Sequence, residues 1–198
     1  MKKKIVLASA NEGKAREFRA ILEPLGFEIV LQSELGVVSP EETGRSFIEN
    51  AILKARYAAE KTGMWALADD SGLAVDALNG APGIYSARFS GGDDKSNNAK
   101  LLELMKNVPE NKRTARYYCA LCLVKHKDDP VPLTVLASWE GSIGYKEIGS
   151  GGFGYDPLFM VTGRHCSAAQ LPPQIKNLIS HRGRALSALT YKLEHNYI

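Results

Sequence analysis

Lys4–Leu31 reads KIVLASANEGKAREFRAILEPLGFEIVL, and this stretch decides the fold class. Lys4–Ala8 is a short apolar run of the kind that forms a buried strand. Ser9-Ala10-Asn11 can cap a helix, and Ala15, Phe18, Ile21, Leu22 and Leu25 recur at helical spacing over about Gly13–Leu25. Gly26 stops that helix, and Phe27–Leu31 predicts a second strand. Strand, helix and strand in so short a span make a βαβ unit, which places the chain in the α/β class.

Outward from this unit, a polar stretch over Val37–Arg45 holds Glu41 and Glu42. Ser46-Phe47-Ile48-Glu49 has the form of a capping box opening a helix to about Lys61. Trp65–Ala68 predicts a buried strand running into Asp69-Asp70-Ser71-Gly72, and Leu73–Ala77 predicts the next strand. Gly80-Ala81-Pro82-Gly83 is a turn. Asp93–Ser96 leads a helix with Leu101, Leu104, Met105 and Val108 inward. Ala115–Lys125, Leu133–Trp139 and Gly141–Ile148 are three β-rich runs, and Lys127–Pro130 reads as a hairpin loop. Strands joined by short links must be antiparallel, so the sheet is mixed. Pro172-Pro173 opens a short helix, and Ser180 caps a last one carrying Leu186, Leu189 and Leu193.

The chain has 198 residues, enough for one domain or two closely packed lobes. A chain of this size hides roughly 70% of its unfolded surface without covalent staples. A net charge of +3 is too weak to argue for nucleic acid, and Lys2-Lys3-Lys4 reads as the solvated start of a strand. No apolar run approaches the ~20 residues that span a bilayer. Ile5–Ala8 is too short for the apolar core of a signal peptide. Cys119, Cys122 and Cys166 make an odd number, which predicts reduced thiols and a cytoplasmic protein. Cys119 and Cys122 stand three apart in a strand-like run, so they face opposite ways and read as buried hydrophobes.

Five sequence words carry the chemistry. Ser9-Ala10-Asn11-Glu12-Gly13-Lys14 puts backbone N–H groups and a lysine at a helix start, a place that attracts phosphate. It is not a Walker loop, and the same segment also reads as an ordinary strand–helix turn. Asp69 and Asp70 follow a strand, where α/β folds put ligands. Neighbours on a strand face opposite ways, so one carboxylate serves a metal and the other supports it. A hard ion such as Mg²⁺ takes one or two protein carboxylates, and Glu42 is the candidate for the second. The alternative is a plain polar turn at Asp69–Gly72. Glu49 belongs to helix capping, and Lys54 is either a solvated lysine or one that reaches the phosphates.

The fourth word, Gly149–Pro157, is a tight glycine-rich loop. Phe153 can stack on a base and Asp156 can accept from a base N–H; alternatively Phe153 and Tyr155 plug the core. In the fifth, Ser180-His181-Arg182, Arg182 can donate to a 6-oxo group, and Lys176 stands one helical turn earlier. Elsewhere such a His-Arg pair is surface.

Six segments in order resemble the inosine triphosphate pyrophosphatase family, in its bacterial XTP/dITP diphosphatase branch. They are Ser9–Lys14, Glu42–Ala51, Ala68–Leu73, Gly80–Arg88, Gly152–Pro157 and Ser180–Arg182. The resemblance implies an α/β fold with an elongated mixed sheet flanked by helices, two lobes and a nucleotide cleft between them. It implies a single catalytic domain that acts as a homodimer, without nucleic acid or membrane partners. It implies Mg²⁺-dependent hydrolysis of dITP, ITP and XTP to the monophosphate and pyrophosphate. By motif position, Ser9, Ala10, Asn11, Glu12, Gly13, Lys14 and Lys54 hold phosphates. Glu42 and Asp70 serve the metal, Asp70 is also the proton acceptor, Asp69 supports them, and Ser71 contacts substrate. Phe153, Gly154, Tyr155, Asp156, Lys176, His181 and Arg182 bind the base. The family commonly has Ala-Glu-Leu where this chain has Ala169-Gln170-Leu171. The rival readings are a Maf-like pyrophosphatase of other specificity and a non-catalytic nucleotide sensor or RNA-binding module.

Overall fold

The computed structural model of the chain describes residues 3–195. Among the described residues, six strands and five α-helices run in the order β1 (Lys3–Leu7), α1 (Glu12–Leu22), β2 (Phe27–Leu31), α2 (Phe47–Thr62), β3 (Trp65–Val75), α3 (Asp94–Leu104), β4 (Thr114–Val124), β5 (Leu133–Ile143), β6 (Phe159–Val161), α4 (Pro173–Ile179) and α5 (His181–Glu194). The sheet order is β2-β1-β3-β4-β5-β6. β1 pairs in parallel with β2 and β3, and β6 pairs antiparallel with β5, so the sheet is mixed as expected. Lys2 lies outside the described residues. Among the described residues no helix is long and apolar enough to cross a membrane.

The βαβ start forms as its sequence dictates. Asn11 caps α1 by accepting from the Lys14 amide, and Gly26 takes the left-handed conformation that ends the connection to β2. Ser46 caps α2 through the Glu49 amide. The Glu49 carboxylate reaches back to the Arg45 amide, one residue before the position a capping box would use. Gln170 accepts from the Ser167 amide at 2.9 Å, so an amide oxygen serves there as a helix-capping group.

Three expectations are corrected. Trp65–Ala68 and Leu73–Ala77 are not two strands around a turn, because β3 runs unbroken through Asp69–Gly72. Ion pairs to those aspartates compensate their poor strand propensity (below). Likewise Leu133–Trp139 and the start of Gly141–Ile148 are one strand, β5, and residues 144–148 leave the sheet. Gly141 is a close approach rather than a break: a Cβ there would lie 2.5 Å from the Met160 carbonyl oxygen of β6. β6 itself, three residues long, is an addition to the predicted elements. Leu104 is exposed, whereas Leu101 and, just past the helix end, Met105 are buried as expected, and Asn97 and Asn98 complete the inward side of α3.

The chain divides into two compact units. Of the described residues, one comprises 3–70, 119–137 and 184–195; the other comprises Ser71–Tyr118 and Ser138–Gly183. The first unit is a sheet covered on both faces, as a parallel sheet requires. Ile5, Leu7, Leu67, Cys119, Leu121 and Leu123 pack with Phe18 and Leu22 of α1 and Leu186, Leu189 and Leu193 of α5. The alternate residues Val6, Ala8, Ala66, Ala68, Ala120, Cys122 and Val124 pack with Ala51, Ala55, Ala58 and Ala59 of α2. Cys119 and Cys122 therefore sit in different cores, as their spacing predicts, and burial pushes the Cys122 thiol up to about 12. The second unit has its own core, built on Leu73, Val75, Leu101, Met105, Tyr117, Trp139, Leu158 and Phe159.

Phe18 is fully buried between α1 and the sheet. Phe18→Ala is expected to cost about 3–5 kcal/mol. Urea unfolding should show this as a lower midpoint at unchanged slope.

Candidate active site

In the first unit, the alternation of β3 aims two adjacent carboxylates at two different helices. Asp69 shares the face of Leu67 and meets α1, where Lys14 donates to its two oxygens at 2.7 and 3.0 Å. Asp69 is only 1% exposed, so this lysine matches a charge drawn deep into the fold. Asp70 shares the face of Ala66 and Ala68 and meets α2. There Lys54 donates to its Oδ1 at 3.0 Å and Asn50 to its Oδ2 at 3.2 Å. Lys54 also donates to Glu42 Oε1 at 2.7 Å. Lys54 is thus a buried lysine shared between two carboxylates, and the solvated reading does not hold.

Burial pushes the Asp70 carboxyl above the usual carboxylate range; the Lys54 ammonium opposes that rise and the Glu42 carboxylate adds to it. For Lys54, burial works against the charge, but Asp70, Asp69 and Glu42 outweigh it and hold the ammonium above its ordinary value. Glu42 and Asp70 each bring one oxygen to the Lys54 ammonium. Among the described residues no three His, Cys, Asp or Glu side chains group as a metal cage. Two carboxylates, with water and phosphate oxygens filling the rest, is the donor set that suits Mg²⁺.

The Ser9–Lys14 segment is an ordered strand-to-helix turn. Ser9 Oγ accepts from the Asn11 amide and Asn11 Oδ1 from the Lys14 amide, both at 3.0 Å. Ser9 and Asn11 therefore shape the turn, while Glu12 turns its carboxylate to Arg19 at 3.6 Å. What this segment offers an anion is the start of α1 at Ala10–Gly13 and the Lys14 ammonium.

The second unit gathers the other predicted residues. Phe153 presents a half-exposed ring, with Lys176 Nζ 4.9 Å and Arg182 Cζ 5.5 Å from its centroid. Arg182 also donates to Ser71 Oγ at 3.4 Å. His181 and Arg182 are both buried, which overturns their surface reading. His181 stacks on Tyr117 with centroids 4.7 Å apart, in an aromatic cluster completed by Trp139 and Phe159.

Two residues of the glycine-rich loop have their polar groups matched inside the second unit. Tyr155 is buried and donates to the Ser86 carbonyl at 2.8 Å, so its ring plugs the core. Asp156 is 2% exposed and accepts from the Phe153 amide at 2.9 Å and from Lys176. Its carboxylate is turned into the loop, where it holds the lysine beside Phe153. Gly154 is gripped at both ends of its peptide groups: Asp94 accepts from its N–H at 2.7 Å and Asn98 donates to its carbonyl at 3.2 Å. Asp94, Asn98 and Asn50 are absent from the sequence-predicted site. Asn50 had a signal, being the polar residue four before Lys54 on an otherwise alanine-lined stripe.

The chain matches the Ham1 family over residues 5–192. A Shigella flexneri protein named dITP/XTP pyrophosphatase is 56% identical over 188 residues, which cover 94% of this chain and 95% of that one. A HAM1 protein from Coxiella burnetii superposes with a TM-score of 0.93 at 44% identity, covering 98% of this chain and 99% of its own. The Staphylococcus aureus Ham1 protein gives 0.89 at 38% identity, covering 98% and 100%.

Asp156→Ala should strip both the Phe153 amide and the Lys176 ammonium of their acceptor. A loss of about 3 kcal/mol is expected on urea unfolding, since breaking a buried charge pair leaves its partner unmatched. A stability equal to that of the wild type would show that this carboxylate does not hold the loop.

Proposed function

The chain belongs to the Ham1 family, and from that premise we propose that it clears non-standard purine nucleotides by hydrolysing dITP, ITP and XTP to the monophosphate and pyrophosphate. The observation that carries this reading is the meeting of Glu42 and Asp70, remote in sequence, on one Lys54 ammonium at 2.7 and 3.0 Å. The name of the 56% identical relative supports the same substrate class.

Glu42 and Asp70 would hold Mg²⁺, which when bound supplies charge neutralisation on phosphate and a more acidic coordinated water. The chain's own residues do the rest. Lys14, oriented by Asp69, and the amides at the start of α1 take up phosphate charge. Lys54 does the same from the α2 side. Asp70 accepts the proton of the attacking water.

For the base, the exposed face of Phe153 offers a stacking surface. Lys176 and Arg182 beside it are donors, matched to the 6-oxo group of hypoxanthine or xanthine. Adenine brings an amino group to the same place and leaves those donors without acceptors, which disfavours it. His181 and Tyr155 lie buried in the second unit, and Arg182 donates to Ser71 Oγ. We read the chain as a single catalytic domain that works as a homodimer. Three free thiols suit the reducing cytoplasm.

Asp70→Asn should remove turnover by ~10²-fold or more while the protein stays folded. Pyrophosphate release from dITP with Mg²⁺ measures it, and near-normal release by the variant would defeat the assignment. Across a nucleotide panel, Arg182→Ala should lower kcat/KM for dITP by ~10-fold more than for dATP. Equal losses on the two nucleotides would argue against a base-reading role.

A further inference from the structure

Asn50 is the one uncharged polar side chain on the buried stripe of α2, which otherwise runs Ala51, Ala55, Ala58 and Ala59 around Lys54. It is 0% exposed. A buried amide is tolerated only where its polar ends are matched. Here its Oδ1 accepts from the Gly44 amide at 2.8 Å, and its Nδ2 donates to Asp70 Oδ2 at 3.2 Å. Gly44 lies two residues from Glu42. One side chain therefore ties the loop that carries Glu42 to the strand that carries Asp70.

The loop is pressed close against this amide. A Cβ on residue 44 would lie 2.5 Å from Asn50 Oδ1 and 2.9 Å from the Asn50 backbone nitrogen, so only glycine fits. Lys54, one turn along α2, bridges the same two acids. Its ammonium, however, is a single charge that phosphate or a divalent ion can displace. The amide of Asn50 is matched at both ends within the fold. Aspartate at this position would face the Asp70 carboxylate with like charge. Glutamine, one methylene longer, would overrun the same gap.

We propose that Asn50 is a positioning residue that sets the separation and orientation of Glu42 and Asp70 and thereby the affinity of the pair for a divalent cation. The proposal rests on the reading of those two acids as the metal pair. It differs from a packing role in what it predicts for Mg²⁺.

The test uses the full chain as wild type, Asn50→Ala and Gly44→Ala. dITP hydrolysis is measured against MgCl₂ and against dITP, and the nucleotide-free proteins are melted with and without MgCl₂. Asn50→Ala should raise the Mg²⁺ concentration for half-maximal rate by ~10-fold or more, as loss of a ligand's hydrogen-bond partner does. At saturating Mg²⁺ its KM for dITP should stay within about twofold of the wild type's, because substrate contacts are intact. The rise in Tm that MgCl₂ gives the nucleotide-free wild type should shrink in the variant. Gly44→Ala, which displaces the loop from Asn50, should shift the Mg²⁺ requirement the same way. It decides the matter if Asn50→Ala does not fold. A lowered Tm with a wild-type Mg²⁺ requirement would reduce Asn50 to a packing residue and overturn the proposal. A wild type whose dITP hydrolysis is indifferent to Mg²⁺ would instead defeat the underlying metal assignment, and the proposal with it.

Discussion

The period-two alternation of β3 is the constraint on which the acidic half of this protein depends. Side chains of a strand point to opposite faces in turn, so Ala66, Leu67, Ala68, Asp69 and Asp70 are dealt alternately to α2 and α1. The apolar residues fix which face is which. Once Leu67 lies in the α1 core and Ala68 against α2, Asp69 must go to Lys14 and Asp70 to Asn50 and Lys54. A slip of one residue would exchange every partner and bury each apolar group on the wrong face. Two neighbouring carboxylates thereby acquire different surroundings without any loop to separate them.

α2 completes the arrangement by being nearly all alanine where it is buried. Small side chains let helix and strand approach closely, and in that narrow layer the polar groups of Asn50 and Lys54 reach the acids directly. Buried ions are expensive unless geometry and hydrogen bonding are both good. Here Lys54 meets two carboxylates and Asp70 meets two donors, so the network is well matched. Mounting it on a strand and a helix, with only Glu42 on a connecting segment, gives it the positional precision that loops lack.

Much of this was legible in the sequence, and where it was not the reasons are physical. The βαβ opening, the caps at Asn11, Ser46 and Ser180, and the opposite faces of Cys119 and Cys122 follow from local rules, and the fold keeps them. Asp69-Asp70-Ser71-Gly72 has the composition of a turn, and local propensity reads it so. Tertiary ion pairs hold it as strand, information that resides in Lys14 and Lys54 far away in the chain. β6 is too short for any periodicity, and its place is set by the close approach at Gly141. Among site residues, side-chain type revealed which groups carry charge but not which of their atoms face inward. That is why Asp156 reads in sequence as a ligand group and lies in the structure as an internal anchor.

The glycine-rich loop of the second unit solves a different problem from the acidic network. A stacking surface must be exposed, yet an exposed aromatic on a flexible loop loses conformational entropy whenever it is held by a ligand. The loop meets this by anchoring its neighbours: Tyr155 through Ser86, Gly154 through Asp94 and Asn98, and Asp156 through the Phe153 amide and Lys176. Each anchor fixes backbone adjacent to Phe153 while leaving its ring half open. The ordering is thus achieved on folding, when buried hydrogen bonds and core packing can offset it. Of the four residues Phe153–Asp156, one displays a surface and three hold it still, and both tasks explain why the sequence there is so specific.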